Sequence, residues 1–164
     1  MSNSSQQPQA TPRQPSSSAA SLAPLSDDEA MAQVVGPAKE FVQANQLQDV
    51  TGGFAFASCN DQGEPPYRAT VDMSFALPAG ADAAAFVKQI ASTMILRGWV
   101  DGPPPGQNPF GTVIHTDEVM AVMGAKPNYP ELAQVQLYGQ CRNMVDHRDD
   151  GTTNGVSITD QLRG

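Results

Sequence analysis

Few residues in this chain could do covalent, metal or acid–base chemistry: two cysteines, two histidines and scattered carboxylates. Cys59 and Cys141 are too few for a disulfide scaffold and lack the spacing of a zinc site. Both fall in strand-like segments, so they could meet across a sheet. In an oxidising compartment a disulfide is expected; two buried free thiols are the alternative. Closing a loop of roughly 80 residues would contribute on the order of 4 kcal/mol through loop-closure entropy.

His147 lies among Asp146, Asp149 and Asp150, which raises the question of a metal site. The cluster lacks a rigid spacing such as His-Glu-x-x-His, and a solvated charge run accounts for it equally well. His115 ends a strand beside Thr116 and Asp117, where no Gly-x-Ser-x-Gly elbow supplies a nucleophile. Asp61 and Glu64 share one loop, which does not set the facing separation of a glycosidase pair. Cys59 as a nucleophile would need a nearby base, and pairing with Cys141 is simpler. Glycines form no phosphate-binding pattern. The chain therefore reads as a non-enzyme with no catalytic set, no metal and no cofactor.

Those residues must be positioned by a short list of elements. Ser26 caps a helix, with Asp27 and Asp28 in its positive first turn and Glu29 completing a capping box. Met31, Val34, Val35, Ala38, Phe41 and Val42 recur at helical spacing, and Gly36-Pro37 should bend this helix or split it in two. Phe54 to Asn60 alternates weakly as a strand, and Asp61 to Pro66 is a turn by composition. From Tyr67 to Leu77 apolar and polar residues alternate as the clearest strand. A second helix runs from about Asp82 to Arg97, with Gly98 just past its end. Asp101 to Gly106 is a stiff proline loop. Strands at about 111–116, 118–125 and 132–142 follow, the last placing Val135, Leu137, Gly139 and Cys141 on one face. The order α-β-β-α-β-β-β predicts an α+β fold, a largely antiparallel sheet of about five strands with two main helices on one face.

Met73, Phe86, Met94 and Trp99 fall on the expected core faces. They form the one candidate small-molecule site, an apolar cavity between helix and sheet, with ordinary core as the alternative.

The flanks differ from this domain. Residues 1–26 hold one charged residue, Arg13, among Ser, Gln, Pro and Ala, and cannot bury enough apolar surface to order themselves. They read as a disordered tether, 27–145 as one globular domain, and 146–164 as a loosely held polar tail. Seventeen acidic residues against nine basic ones give a formal charge of −8. That balance excludes nucleic acid as a partner and any electrostatic hold on anionic lipid. Met1 followed at once by the Ser/Gln/Pro stretch looks like an exported protein in which Met1 replaces a lipidated cysteine. The alternative is the disordered N-terminus of an intracellular protein.

The runs DDEAMAQVVGPAK (27–39), SCNDQGEPPYRATVDMSF (58–75), RGWVDGPPPGQ (97–107), GQCRN (139–143) and DHRDDGTTN (146–154) resemble the mycobacterial lipoproteins of the LppJ type. The resemblance covers most of residues 27–162 and both cysteines. It implies a lipid-anchored protein on the outer face of the cytoplasmic membrane, made with a signal peptide and a lipobox cysteine. No activity and no site residues come with it. The expected role is a binding or accessory module with an envelope protein or lipid as partner. The alternatives are a carrier of an apolar envelope molecule, and a small hydrolase or metal enzyme.

Overall fold

The computed structural model describes residues 22–163, so most of the expected tether lies outside the described residues. Helix α1 (Asp27–Asn45) begins at the capping box: the Glu29 N–H donates to Ser26 Oγ at 3.1 Å, and Glu29 Oε1 accepts from the Ser26 N–H at 2.9 Å. That backbone donor is the main reason the Glu29 carboxyl titrates below its usual range. Of the bend or split expected at Gly36-Pro37, the split is not found: α1 runs through Pro37 as one helix. Val34 and Val35 before the proline and Ala38 and Phe41 after it are all buried against the sheet. This packing on both sides offsets the one donor that Pro37 lacks.

Strand β1 (Gln48–Ser58) starts six residues before the sequence pattern suggests, because Gly52-Gly53 hides it. Next come β2 (Tyr67–Ala76), α2 (Ala83–Leu96), β3 (Val100–Asp101), β4 (Thr112–His115), β5 (Met120–Ala125), β6 (Leu132–Tyr138), β7 (Val156–Ser157) and α3 (Thr159–Arg163). Asp82 caps α2 by accepting from the Ala85 N–H at 3.0 Å. The strands form one sheet of order β3-β4-β5-β6-β2-β1-β7, with every neighbouring pair antiparallel. The sheet thus has seven strands rather than about five. The two additions, β3 and β7, are two-residue edges too short to show a period.

One sheet face carries Phe54 and Phe56 of β1, Val71, Met73 and Phe75 of β2, Val135 and Leu137 of β6, and Ala121 and Met123 of β5, all buried. The inward faces of α1 and α2 complete this core. The other face carries Gly53, Ala55, Arg68, Thr70, Asp72, Val122, Gln134, Gln136 and Tyr138, all at least partly accessible. Among the described residues, the helices pack on the first face only.

The C-terminal segment corrects the expectation of a loose tail. His147, Ile158 and Leu162 are buried, β7 pairs with β1, and the Ile158 N–H donates to the Gly52 carbonyl at 3.0 Å. Arg163 Nε reaches the Val50 carbonyl at 2.7 Å. Leu162 sits directly over Gly52: a Cβ there would lie 2.4 Å from Leu162 Cδ1. The segment reads as polar because only three of its side chains enter the core, with no periodic stripe.

Leu162→Ala should therefore lower the unfolding free energy by about 2–4 kcal/mol, measured by urea denaturation at neutral pH. A change within a few tenths of a kcal/mol would mean that the segment is not part of the cooperative unit.

Candidate functional site

The cysteines come together at one end of the sheet. Cys59 follows β1 and Cys141 follows β6, on either side of β2, and they form a disulfide with Cα atoms 6.2 Å apart. Both residues are exposed, so Cys141 does not share the buried face of β6 as its alternation suggested. Strand β6 stops at Tyr138, and the chain turns before reaching the cysteine.

Beside the disulfide the chain forms a polar knot. The Tyr67 N–H donates to the Asn143 carbonyl at 2.6 Å, and the Asn143 N–H donates back to the Tyr67 carbonyl at 3.0 Å. Asn143 Nδ2 donates to Asp27 Oδ1 at 2.8 Å and to the Leu25 carbonyl at 3.2 Å. These two acceptors turn Asn143 Oδ1 toward His147, whose Nε2 lies 2.9 Å away and 3.2 Å from Asp27 Oδ1. Nδ1 of His147 faces Asp150 Oδ2 at 2.6 Å. Both ring nitrogens thus face side-chain oxygens. The ring stacks on Phe56 at 3.8 Å between centroids and meets Tyr67 edge-on at 5.1 Å. His147 is therefore neither a solvated charge nor an accessible acid–base group. Among the described residues no group of three or more His, Cys, Asp and Glu side chains is arranged to hold a metal.

Two carboxylates beside the knot, Asp150 and Asp146, titrate below their usual range. Thr152 donates to Asp150 Oδ1 from its hydroxyl at 2.7 Å and its backbone N–H at 3.0 Å. With His147 on the other oxygen, these hold the Asp150 carboxyl down to about 2. The Arg148 guanidinium binds both oxygens of Asp146 and holds that carboxyl low. Burial, then the nearby Asp146 charge, pushes the Tyr67 phenol up; its hydroxyl donates to the Gly63 carbonyl.

The other sequence candidates lie apart from this knot. Met73 and Met94 are fully buried, Trp99 packs edge-on against Phe41 at 5.2 Å, and all three belong to the filled core. Phe86 alone reaches the surface, beside shallow hollows shared with Asn45 and Gln46. His115 Nδ1 bonds the Gly102 carbonyl at 2.7 Å and pins the proline loop. Asp61 and Glu64 stand exposed in a turn organised by Asn60, which accepts from the Gln62 and Glu64 N–H groups.

Charged, aromatic and amide side chains gather at the disulfide end, on the sheet face that the described helices leave open. There a hollow of about 250 Å³ is lined by Arg68, Tyr138, Met120, Gln140, Cys141 and Arg142, with Pro104 and Gln107 reaching over from the proline loop. Thr70 pairs with Tyr138 across β2 and β6. Arg68, two residues before Thr70, lies on the same face and places its guanidinium carbon 4.8 Å over the Tyr138 ring. Its Nε is shut off from solvent and has no hydrogen-bond partner among the described residues. Arg142 is engaged: Nε and Nη2 donate to the Ala23 carbonyl, and Nη1 donates to Gln140 Oε1. Gln33 of α1 fixes Gln140 in turn, donating to its side chain at 2.7 Å and accepting its N–H at 2.9 Å. Sequence reading places Arg68 and Tyr138 on the wet sides of their strands. Only the β2–β6 adjacency makes them a pair, and nothing local encodes that adjacency.

Residues 26–161 match the family described as "Putative lipoprotein LppJ". Proteins of that name from two Mycobacterium tuberculosis strains, CDC 1551 and H37Rv, and from Mycobacterium bovis are each 49% identical to this chain over 140 residues, covering 85% of this chain and 72% of theirs. No solved structure matches the chain.

Two outcomes follow from the knot and the disulfide. Reduction, or Cys141→Ser, should lower stability by about 4 kcal/mol, read as a fall in melting temperature; equal melting with and without reductant would refute the cross-link. Asp150 is depressed in the folded state, so its contribution is complete above the unfolded value of about 4 and vanishes as pH falls through about 2. Asp150→Asn should therefore lower the melting temperature at pH 7, with the deficit closing between pH ~4 and ~2. A deficit that persists unchanged down to the acid end would show that the charge is not its source.

Proposed function

The chain belongs to the LppJ lipoprotein family, and we propose that within the envelope it works as a non-catalytic binding module. An N-terminal lipid holds it at the outer face of the cytoplasmic membrane, and the uncovered face of its sheet meets a protein partner. The observation carrying this reading is the one-sided packing of the sheet. A sheet covered by helices on one side leaves the other as a broad, flat surface built on rigid strands.

The composition of that face argues for a protein rather than an acyl chain. Gly53 and Ala55 leave room for close approach, while Thr70, Asp72, Gln134 and Gln136 offer hydrogen bonds. A hollow of about 370 Å³ at mid-face is lined by Thr51, Thr70, Asp72, Ser74 and Lys126. Mixed polar chemistry of this kind suits a non-obligate protein contact. The carrier alternative has less support, because Met73, Met94 and Trp99 occupy the space between helices and sheet that a lipid would fill.

Native mass spectrometry of the protein, gently extracted from a mycobacterial membrane, tests this. A stoichiometric complex with a second protein is expected, and Ala55→Arg on the open face should abolish it without changing the melting temperature. A chain carrying extra lipid beyond its anchor would overturn the reading in favour of a carrier. A bare chain, a complex of two copies, or a complex indifferent to Ala55→Arg would overturn it as well.

A further inference from the structure

We infer that the hollow beside the disulfide is an oxyanion site, in which Arg68 receives the carboxylate or phosphate of a small ligand of low negative charge. This deepens the preceding proposal, resting on the same face being the working surface. A guanidinium stays charged at any physiological pH and presents its donors as a planar fork matched to carboxylate and phosphate oxygens. At Arg68 the fork is held over the Tyr138 ring, with Nε shielded from water and without a partner among the described residues. None of their carboxylates forms an ion pair with it. A desolvated, unpaired donor on a charged group is costly. An oxyanion entering the hollow would meet the same fork at its terminal Nη groups, which make no hydrogen bond to the described residues and are not sealed off as Nε is.

The surroundings define the ligand further. Arg142 adds a second positive charge at the rim while its own donors are engaged elsewhere. Asp117 and Glu118, both exposed, also line the hollow, and they disfavour ligands of high negative charge such as polyphosphates. Met120, Val119, Pro104 and the Cys141 end of the disulfide form the apolar part of the wall. The volume of about 250 Å³ suits one acidic group with a short apolar stem. A chain with formal charge −8 repels anions at long range, so any anion binding here comes from this local geometry.

The test is a titration of the full ¹⁵N-labelled chain, followed by ¹H–¹⁵N NMR at the arginine Nε–H and backbone amides. The probes are butyrate and methyl phosphate, with sodium chloride matched in ionic strength. Saturable shifts are expected at the Arg68 Nε–H and at the Tyr138 and Gln140 amides, and none with chloride. Response to butyrate alone identifies a carboxylate ligand, and response to methyl phosphate alone a phosphate. Arg68→Gln should weaken binding roughly tenfold or more, and Arg68→Lys should retain part of it. No saturable shift with either probe up to about 50 mM, well beyond the millimolar range of weak binding, would overturn the proposal using the unaltered chain alone. Shifts that persist in folded Arg68→Gln would overturn it too. A positive titration with no partner complex in the native mass measurement would leave the anion site standing and remove the protein-docking reading.

Discussion

The backbone exchange between Tyr67 and Asn143 is the constraint on which the rest of this fold depends. Two main-chain hydrogen bonds tie the start of β2 to the segment leaving β6. Asn143 is fully buried and uses its side chain to hold Leu25, Asp27 and His147 at once. Four stretches distant in sequence therefore converge on one residue: the entry to α1, β2, the end of β6 and the C-terminal segment. A buried amide with every partner in place specifies a single arrangement, because any other leaves its donors and acceptors unsatisfied in a poorly hydrated site. The disulfide closes around this knot from the outside, and its exposed cysteines serve as a fastening rather than as core.

The knot also explains why chemistry gathers at one end of the sheet. By fixing where β6 ends and how the chain turns toward Cys141, it sets Gln140 and Arg142 along the rim of the Arg68 hollow. Gln33 then links that rim to α1. A Cβ at position 139 would lie 2.7 Å from Gln33 Oε1, so glycine is required there for this contact. The helix layer and the open face, on opposite sides of the sheet, are thus joined through one glutamine pair.

Much of the architecture was legible because periodic segments advertise themselves. The capping box at Ser26, the α2 stripe of Val87, Ile90, Ala91 and Met94, and the alternation of β2 reappear with boundaries shifted by a residue or so. What the sequence obscured was non-periodic. Gly52-Gly53 lies inside β1 ahead of the stretch whose alternation marks a strand, and Leu162 uses the space a side chain at Gly52 would fill. The charged stretch around His147 reads as solvated, yet the imidazole enters the core between Phe56 and Tyr67. The Arg68–Tyr138 pair depends on strand order, which long-range contacts decide. Of the apolar residues singled out as a ligand site, Met73, Met94 and Trp99 are core members and Phe86 packs at its edge; residue types and spacing cannot separate a filled core from a cavity.

The way the chain enters the domain has a mechanical consequence. Arg142 grips the Ala23 carbonyl through two donors, and Leu25 bridges to Asn143 in parallel fashion. Any tension arriving along the polypeptide ahead of residue 22 therefore meets the domain at its most cross-linked corner, within two residues of Cys141. Load applied there passes into the Asn143 contacts and the covalent bridge before it can peel α1 from the sheet. The domain is strapped where it would be pulled.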